Sequence, residues 1–226
     1  MNTQISKTKN KIVALISSAL LRNILFTFGA MVLFFSGVIA YGVVLNTRQY
    51  TLQESMNLKG LNKLDKVSLV IDRKTFTLNV FEDTIFVKSY RVSFGRNLGD
   101  KKKLSNDGAT PVGSYKICKI TGDYQYHKFL RLNYPNLEDS KEALRKSLIT
   151  QKQYDDLQFQ FYYEDCVDEN TVLGGNIGIH GIGRLNAIFK NLPFVYNWTD
   201  GSVALSNEDL DEILTVIKEG TEVVIK

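Results

Sequence analysis

The chain reads as an α+β protein, mainly β, carried on an N-terminal apolar helix, and three observations predict this. A 22-residue run from Ile24 to Leu45 has polar side-chain atoms only at Thr27, Ser36 and Tyr41. From Val67 the pattern changes to short segments rich in β-branched and aromatic residues, separated by polar turns. Near the C-terminus an amphipathic helical pattern opens at Ser206 and leads into a last β-rich stretch.

The apolar run matches the roughly 20 residues that a helix needs to cross a bilayer. Lys7, Lys9, Lys11 and Arg22 precede it, and no acid occurs among residues 1–45. The excess of positive charge predicts a cytoplasmic basic N-terminus over 1–23, a transmembrane helix over 24–45, and a membrane-anchored remainder on the periplasmic or cell-wall side. A cleaved signal peptide competes with this reading, because Val38-Ile39-Ala40 could pass as a cleavage site, but the run is longer than the usual apolar core of such signals. With those four basic residues set aside, 24 of the 28 Lys and Arg remain against 24 acids, so the net charge of +4 belongs to the membrane-orienting segment. Nucleic-acid binding, which needs a basic face on the globular part, is therefore not expected.

Residues 46–65 are polar and mixed and are expected to form a stalk, with the domain proper over 66–226. Strands are predicted over 67–71, 75–80 and 84–93, joined at Asp72-Arg73-Lys74 and Glu82-Asp83 as a β-meander. Thr110-Pro111-Val112-Gly113 punctuates the entry to a further strand ending near Ile117. Between 137 and 173, Leu144 and Leu148, then Tyr154, Leu157 and Phe161, fall at helical spacing and predict a helical insertion of two short helices, either a lid or a surface elaboration. The last helix has Ser206 as N-cap, an acid three residues on at Asp209, one apolar face of Leu210, Ile213, Leu214 and Ile217, and Gly220 as its stop, before a strand over 221–225. Cys118 and Cys166 both lie in the exported part, where a disulfide is permitted, but the sequence leaves their pairing open. With no CxxC and no His/Cys cluster, neither a metal nor another cofactor is expected.

Two segments carry chemistry: Ile177-Gly178-Ile179-His180-Gly181, and the ten residues from Trp198 to Asn207, Trp-Thr-Asp-Gly-Ser-Val-Ala-Leu-Ser-Asn. Acyl transfer needs a nucleophile, a base within reach of it, and donors for the developing oxyanion. His180 is the candidate base, with Gly181 expected to leave its imidazole edge open, although a lone histidine on an apolar strand is more often a core residue bonded to a carbonyl. The other histidine, His127, reads as a surface or groove residue. Asp200-Gly201-Ser202 would offer backbone N–H groups, with Gly201 admitting a substrate carbonyl, and the helix beginning near Ser206 adds a favourable dipole.

These segments resemble the L,D-transpeptidase catalytic domain (YkuD) family, in which a His-Gly segment precedes a Ser/Thr-His-Gly-Cys segment bearing the nucleophile. One branch of that family reads Trp-Thr-Asp-Gly-Cys-Ile-Ala-Leu-Thr-Asn, close to residues 198–207. Thr110-Pro111-x-Gly113-x-Tyr115 and Tyr134-Pro135-Asn136 are similar to it as well, and the resemblance covers about 66–226. It implies an L,D-transpeptidase-like β-sandwich with a C-terminal helix, acting on peptidoglycan stem peptides without a cofactor. It implies His180 as base, Ser202 at the nucleophile position, Gly201 in the oxyanion turn and Asp200 orienting the imidazole or a substrate amine. Gly181, Trp198, Thr199, Asn207 and Tyr134 would contact substrate.

Three positions depart from the common pattern: Ser202 stands for Cys, Asp200 for His and Ala204 for Arg. The first matters most, because a thiol ionises far more readily than a serine hydroxyl. The sequence thus allows an impaired acyl transferase, a pseudoenzyme that only binds stem peptides, or an active enzyme whose cysteine has been replaced by design. The 22 residues from His180 to Ser202 exceed the usual spacing, and the excess around 189–194 is expected to form a loop at the cleft mouth. Neither the acceptor nor the oligomeric state is legible.

Overall fold

The computed structural model describes residues 2–46, 49–99, 101–192 and 194–226; Thr47 of the expected stalk, Pro193 of the expected loop, and the side chains of Lys7, Lys9, Lys11 and Leu45 lie outside the described residues. The chain divides into two units, one built on the N-terminal helix and one a globular body.

Helix α1 (Asn2–Asn46) runs unbroken through the basic segment and the apolar run. Residues 2–23 contain neither Gly nor Pro, so nothing halts the helix upstream of Ile24. The stretch Ser18–Val44 is long and apolar enough to cross a membrane. It starts earlier than the sequence pattern suggested, because Ala19, Leu20 and Leu21 extend the apolar surface around the single charge of Arg22.

The body holds a meander of β1 (Val67–Asp72), β2 (Thr77–Glu82) and β3 (Ile85–Arg91), then a hairpin of β4 (Gly113–Tyr124) and β5 (His127–Leu132), then β6 (Gly178–Gly181), β7 (Val203–Leu205) and β8 (Glu222–Ile225). Their order across the sheet is β3-β2-β1-β8-β4-β5-β6-β7. Strand β4 serves two halves: Gly113 to Lys116 pair with β8, while Ile117 to Tyr124 pair with β5. Pairing is antiparallel except for β1 with β8 and β6 with β7. Beyond β3, Ser93 and Ala204 exchange backbone hydrogen bonds of 2.7 and 2.9 Å, so the chain leaving the first strand in the order reaches the last. The two halves therefore face each other across a single core, which is the sandwich expected.

Alternation builds that core. Leu69 and Ile71 of β1, Leu78 and Val80 of β2, and Val223 and Ile225 of β8 are buried at every second position and meet Ile117, Leu130, Leu132 and Ile179 from the other half. Beyond the one-turn helix α5 (Asn186–Phe189), helix α6 (Asn207–Leu214) adds Leu210 and Ile213. Each such side chain contributes about 1.5–3 kcal/mol by leaving water.

Four elements differ from expectation. Strand β4 runs on to Tyr124, and β5 and β7 were not anticipated: β5 carries His127, Lys128 and Arg131 among its apolar residues, and β7 has only three residues. The expected stalk contains α2 (Leu52–Leu58), capped by Thr51 with Glu54 in a reciprocal capping box. Leu52 and Met56, four apart on one face, are buried in the main core, and the Leu52 N–H donates to Glu212 Oε1 at 2.6 Å. One apolar pair among polar neighbours was too sparse a pattern to register.

The insertion is helical as expected: α3 (Leu137–Arg145) and α4 (Gln151–Tyr163) open on capping boxes at Asn136 with Asp139 and at Thr150 with Gln153. They enclose a second small core of Ala143, Ile149, Leu157, Val167 and Leu173, with Leu144, Leu148 and Tyr154 packed against it. Cys118 of β4 and Cys166 after α4 form a disulfide across a sequence separation of 48, which settles the pairing and ties the insertion to the sheet. Closing a loop of that length in the unfolded chain is worth about 4 kcal/mol in the chain-entropy account.

Candidate active site

Strands β6 and β7 bring the two motif segments together. They run parallel with Ile179 opposite Val203 and His180 opposite Ala204. Paired residues share a face and side chains alternate along a strand, so Ser202 falls on the face of His180, one diagonal step away. The Ser202 Oγ accepts a hydrogen bond from the Gly178 N–H at 3.2 Å.

His180 is only 4% exposed. Its Nδ1 lies 2.7 Å from the Gly181 carbonyl oxygen. A carbonyl can only accept, so Nδ1 carries the proton and Nε2 of the neutral ring keeps its lone pair. Burial lowers the pKa from 6.5 to about 4, with the Gly181 bond opposing it. The ring is stacked on Tyr126 at 5.0 Å and meets the edge of Trp198 at 5.5 Å, with Tyr124 and Phe129 farther out at 6.2 and 6.4 Å.

The glycines at the site are dictated by close approach. A Cβ at Gly181 would lie 2.5 Å from Asn207 Oδ1 and 2.8 Å from the Tyr126 carbonyl oxygen. The residue thus serves packing behind the imidazole rather than an open cleft edge, and its carbonyl fixes the tautomer. Gly201 has φ +124° and a Cβ there would meet the Ala109 carbonyl oxygen at 2.7 Å, so both backbone and space demand glycine.

The turn before β7 is closed by Thr199, whose hydroxyl donates to the Ser202 carbonyl at 2.5 Å and accepts from the Gly201 N–H at 3.3 Å. With Gly201 engaged, the Ser202 N–H, which makes no hydrogen bond among the described residues, is the donor this turn can offer to an oxyanion. Asn207 spends its amide on the chain after His180: Oδ1 accepts from the Gly183 N–H at 2.9 Å and Nδ2 donates to the Gly183 carbonyl at 3.2 Å. It braces the His180 segment from behind. The N-terminus of α6 is met by the Ser206 cap and by Glu208 and Asp209 in its first turn, so its dipole is matched within the helix itself.

Two expected site residues stand elsewhere. Asp200 is exposed and pairs with the Arg96 guanidinium instead of the imidazole, whose Nδ1 is taken by Gly181. Tyr134 is 2% exposed and its hydroxyl donates to the Leu173 carbonyl at 3.1 Å, which makes it a core residue holding the insertion. His127 Nε2 lies within hydrogen-bond distance of Asp211 Oδ1, at 2.8 Å. The sequence missed Arg96 and Tyr126. Arg96 lies on the segment after β3, stitched to the turn before β7 by Arg96 N–H to the Thr199 carbonyl at 3.1 Å and by the Phe94 N–H to Asn197 Oδ1 at 2.9 Å. Tyr126 lies at the tip of the β4–β5 hairpin, where the aromatic pattern Tyr124, Tyr126, Phe129 was the available signal. Among the described residues, no group of three or more His, Cys, Asp or Glu could hold a metal.

A parallel strand pair thus carries a buried histidine diagonally across from a tight Gly-Ser turn, inside a mixed eight-stranded sheet. Residues 66–225 match the YkuD family, the L,D-transpeptidase catalytic domain, and the chain belongs to that family. No curated protein matches it. Among solved structures, the chain is similar to an L,D-transpeptidase from Xylanimonas cellulosilytica, with 14% identity, 73% of this chain and 62% of that chain covered, and a TM-score of 0.42. It is similar to Bd1075 of Bdellovibrio bacteriovorus at 19% identity, covering 72% and 48%, with a TM-score of 0.45. It is also similar to the helical cell shape determining protein Pgp2 of Campylobacter jejuni at 20% identity, covering 71% and 47%, with a TM-score of 0.46. The chain thus spans less than two thirds of the length of each of these.

Proposed function

We propose that the protein is a membrane-anchored, extracytoplasmic L,D-transpeptidase-type acyl transferase directed at peptidoglycan stem peptides, held at low activity by serine at the nucleophile position. Family membership over 66–225 supports the reaction class, and the helix Ser18–Val44, long and apolar enough to span, supports the anchor. The observation that carries the reading is the β6–β7 register, which sets Ser202 beside a histidine whose Nδ1 is committed to Gly181 and whose Nε2 is free to accept a proton.

In this mechanism Nε2 takes the Ser202 hydroxyl proton as Oγ attacks the substrate carbonyl, and the Ser202 N–H steadies the oxyanion. His180 then returns the proton to the departing amine, leaving an acyl-enzyme that an acceptor amine or water resolves. General-base catalysis works best when the base titrates near the operating pH. A histidine lowered to about 4 is a weak partner for a hydroxyl. A thiol, with a free pKa of roughly 8.5, reaches its ionised, nucleophilic form far more readily than a serine hydroxyl and so asks less of the base.

The test is intact-mass analysis of the full chain and of Ser202→Cys, each incubated with a muropeptide tetrapeptide. An acyl adduct or product with the cysteine form and little with the serine form is expected, and turnover by neither folded protein would overturn the reading. A second reading is favoured by the tie of Ser202 Oγ to the Gly178 N–H: a pseudoenzyme that keeps the cleft and binds stem peptides. Binding without adduct in both forms would select it.

A further inference from the structure

The body holds a cavity of about 690 Å³ that acyl transfer does not use. It lies between α2, β3 and the turn before β2, and neither His180 nor Ser202 nor any residue packed on them lines it. Its charged lining residues are Lys59, Lys88 and Arg91, with no acid among them. Lys88 is answered from within the body by Glu212, which also accepts from the Tyr90 hydroxyl at 2.8 Å. Lys59 makes no ion pair among the described residues, and its ammonium stands 5.4 Å from the centroid of the Phe86 ring. Two hydroxyls join it in the lining. Ser55 is only 9% exposed, yet its side chain makes no hydrogen bond among the described residues, and that of Ser89 makes none either. A buried hydroxyl ordinarily finds a partner, so three donors without acceptors of their own share one cavity.

Donors with no carboxylate beside them suit an anion whose oxygens only accept, as those of a phosphate diester do. The source of that phosphate follows from the chain. Only residues 45–48 separate Val44, the last residue of the apolar stretch, from Gln49 in the lining, so the Gln49 end of the cavity stays within about 18 Å of the bilayer however the body is turned. Beside it Tyr50, Leu58 and Phe86 are 64%, 69% and 44% exposed. An exposed tyrosine next to a span is of the type that settles at the lipid–water boundary. We propose that the cavity takes the headgroup phosphate of an anionic phospholipid from the bilayer that α1 enters, held by Lys59, Ser55 and Ser89, with Tyr50, Leu58 and Phe86 against the glycerol and upper acyl carbons. A zwitterionic head fits less well, because its own ammonium enters among three cations. The inference rests on the membrane-anchor reading above and adds to it a second attachment, one selective for lipid charge.

The experiment follows hydrogen exchange of the full chain in lipid nanodiscs, one set of phosphatidylcholine alone and one of phosphatidylcholine with phosphatidylglycerol. Amides of 52–59 and 85–91 should exchange about 10-fold more slowly in the phosphatidylglycerol discs, the slowing expected where a ligand fills about nine-tenths of its sites. Lys59→Glu should abolish the difference while leaving exchange in the phosphatidylcholine discs as it was, since Lys59 is exposed on the residue that ends α2. Lys59→Arg should keep most of the slowing, and Ser55→Ala combined with Ser89→Ala should remove most of it. Equal exchange in the two kinds of disc, with the protein retained in both, would overturn the lipid site and leave the anchor standing. So would slowing that survives in Lys59→Glu. Equal slowing by glycerol phosphate added to phosphatidylcholine discs would also overturn it, in favour of a site for free phosphate. A chain that enters neither kind of disc would overturn the anchor and the lipid site together.

Discussion

Burial sets the charge state of His180, and the direction of that effect fixes its pH signature. The imidazole titrates near 4 when folded and near 6.5 when unfolded, so the native state favours the neutral ring. Its contribution to stability is complete above pH 6.5, declines as the pH falls, and is lost by the time the pH has passed through 4. The span corresponds to roughly 3 kcal/mol. Denaturant midpoints measured between pH 7 and 4 should fall more steeply for the native sequence than for His180→Gln, and parallel curves would refute the assignment. At Gly201 an alanine must adopt a positive φ against the Ala109 carbonyl, so Gly201→Ala should cost about 1–3 kcal/mol and lower the melting temperature accordingly. The residues that the sequence showed were those whose chemistry is intrinsic, a histidine after an apolar strand and a Gly-Ser turn. The reasons for Gly181 and Asn207 were hidden, because they depend on Tyr126 and Gly183 arriving from other parts of the chain.

Among the elements, the insertion 137–173 has the most separable energetics. It keeps its own small core and is tied to β4 by the Cys118–Cys166 bridge. Replacing both cysteines by alanine should lower stability by up to about 4 kcal/mol. Hydrogen exchange should quicken over 137–173 first and leave β1, β2 and β8 protected. Uniform loss of protection would mean that insertion and sheet unfold as one. The meander and α6 were legible because their apolar periods are unmixed. Strand β5 was not, since Lys128 and Arg131 interrupt its alternation while their charges are met by Asp211 and Glu169. Three-residue β7 is too short for any period, and its pairing with β6 and Ser93 makes it a strand.

At the scale of the whole molecule, the helix α1 and the body have opposite characters, one apolar and basic at its start, the other balanced in charge. We predict that the full chain sediments with membranes through high-salt and alkaline washes, and that replacing Phe28 and Leu33 by lysine releases it. Release by salt alone would point to peripheral attachment instead. The division between helix and body was legible in composition. The exact upstream edge of the body was not, because α2 joins the core through only Leu52 and Met56.

The bridge between Cys118 and Cys166 also records history. Thiols oxidise to disulfides in extracytoplasmic compartments and stay reduced in the cytosol. A body that matured beyond the bilayer therefore resists alkylation until a reductant is added, whereas one retained inside is labelled at once at both cysteines. One covalent bond within the body is in this way a built-in reporter of the compartment in which that body matured.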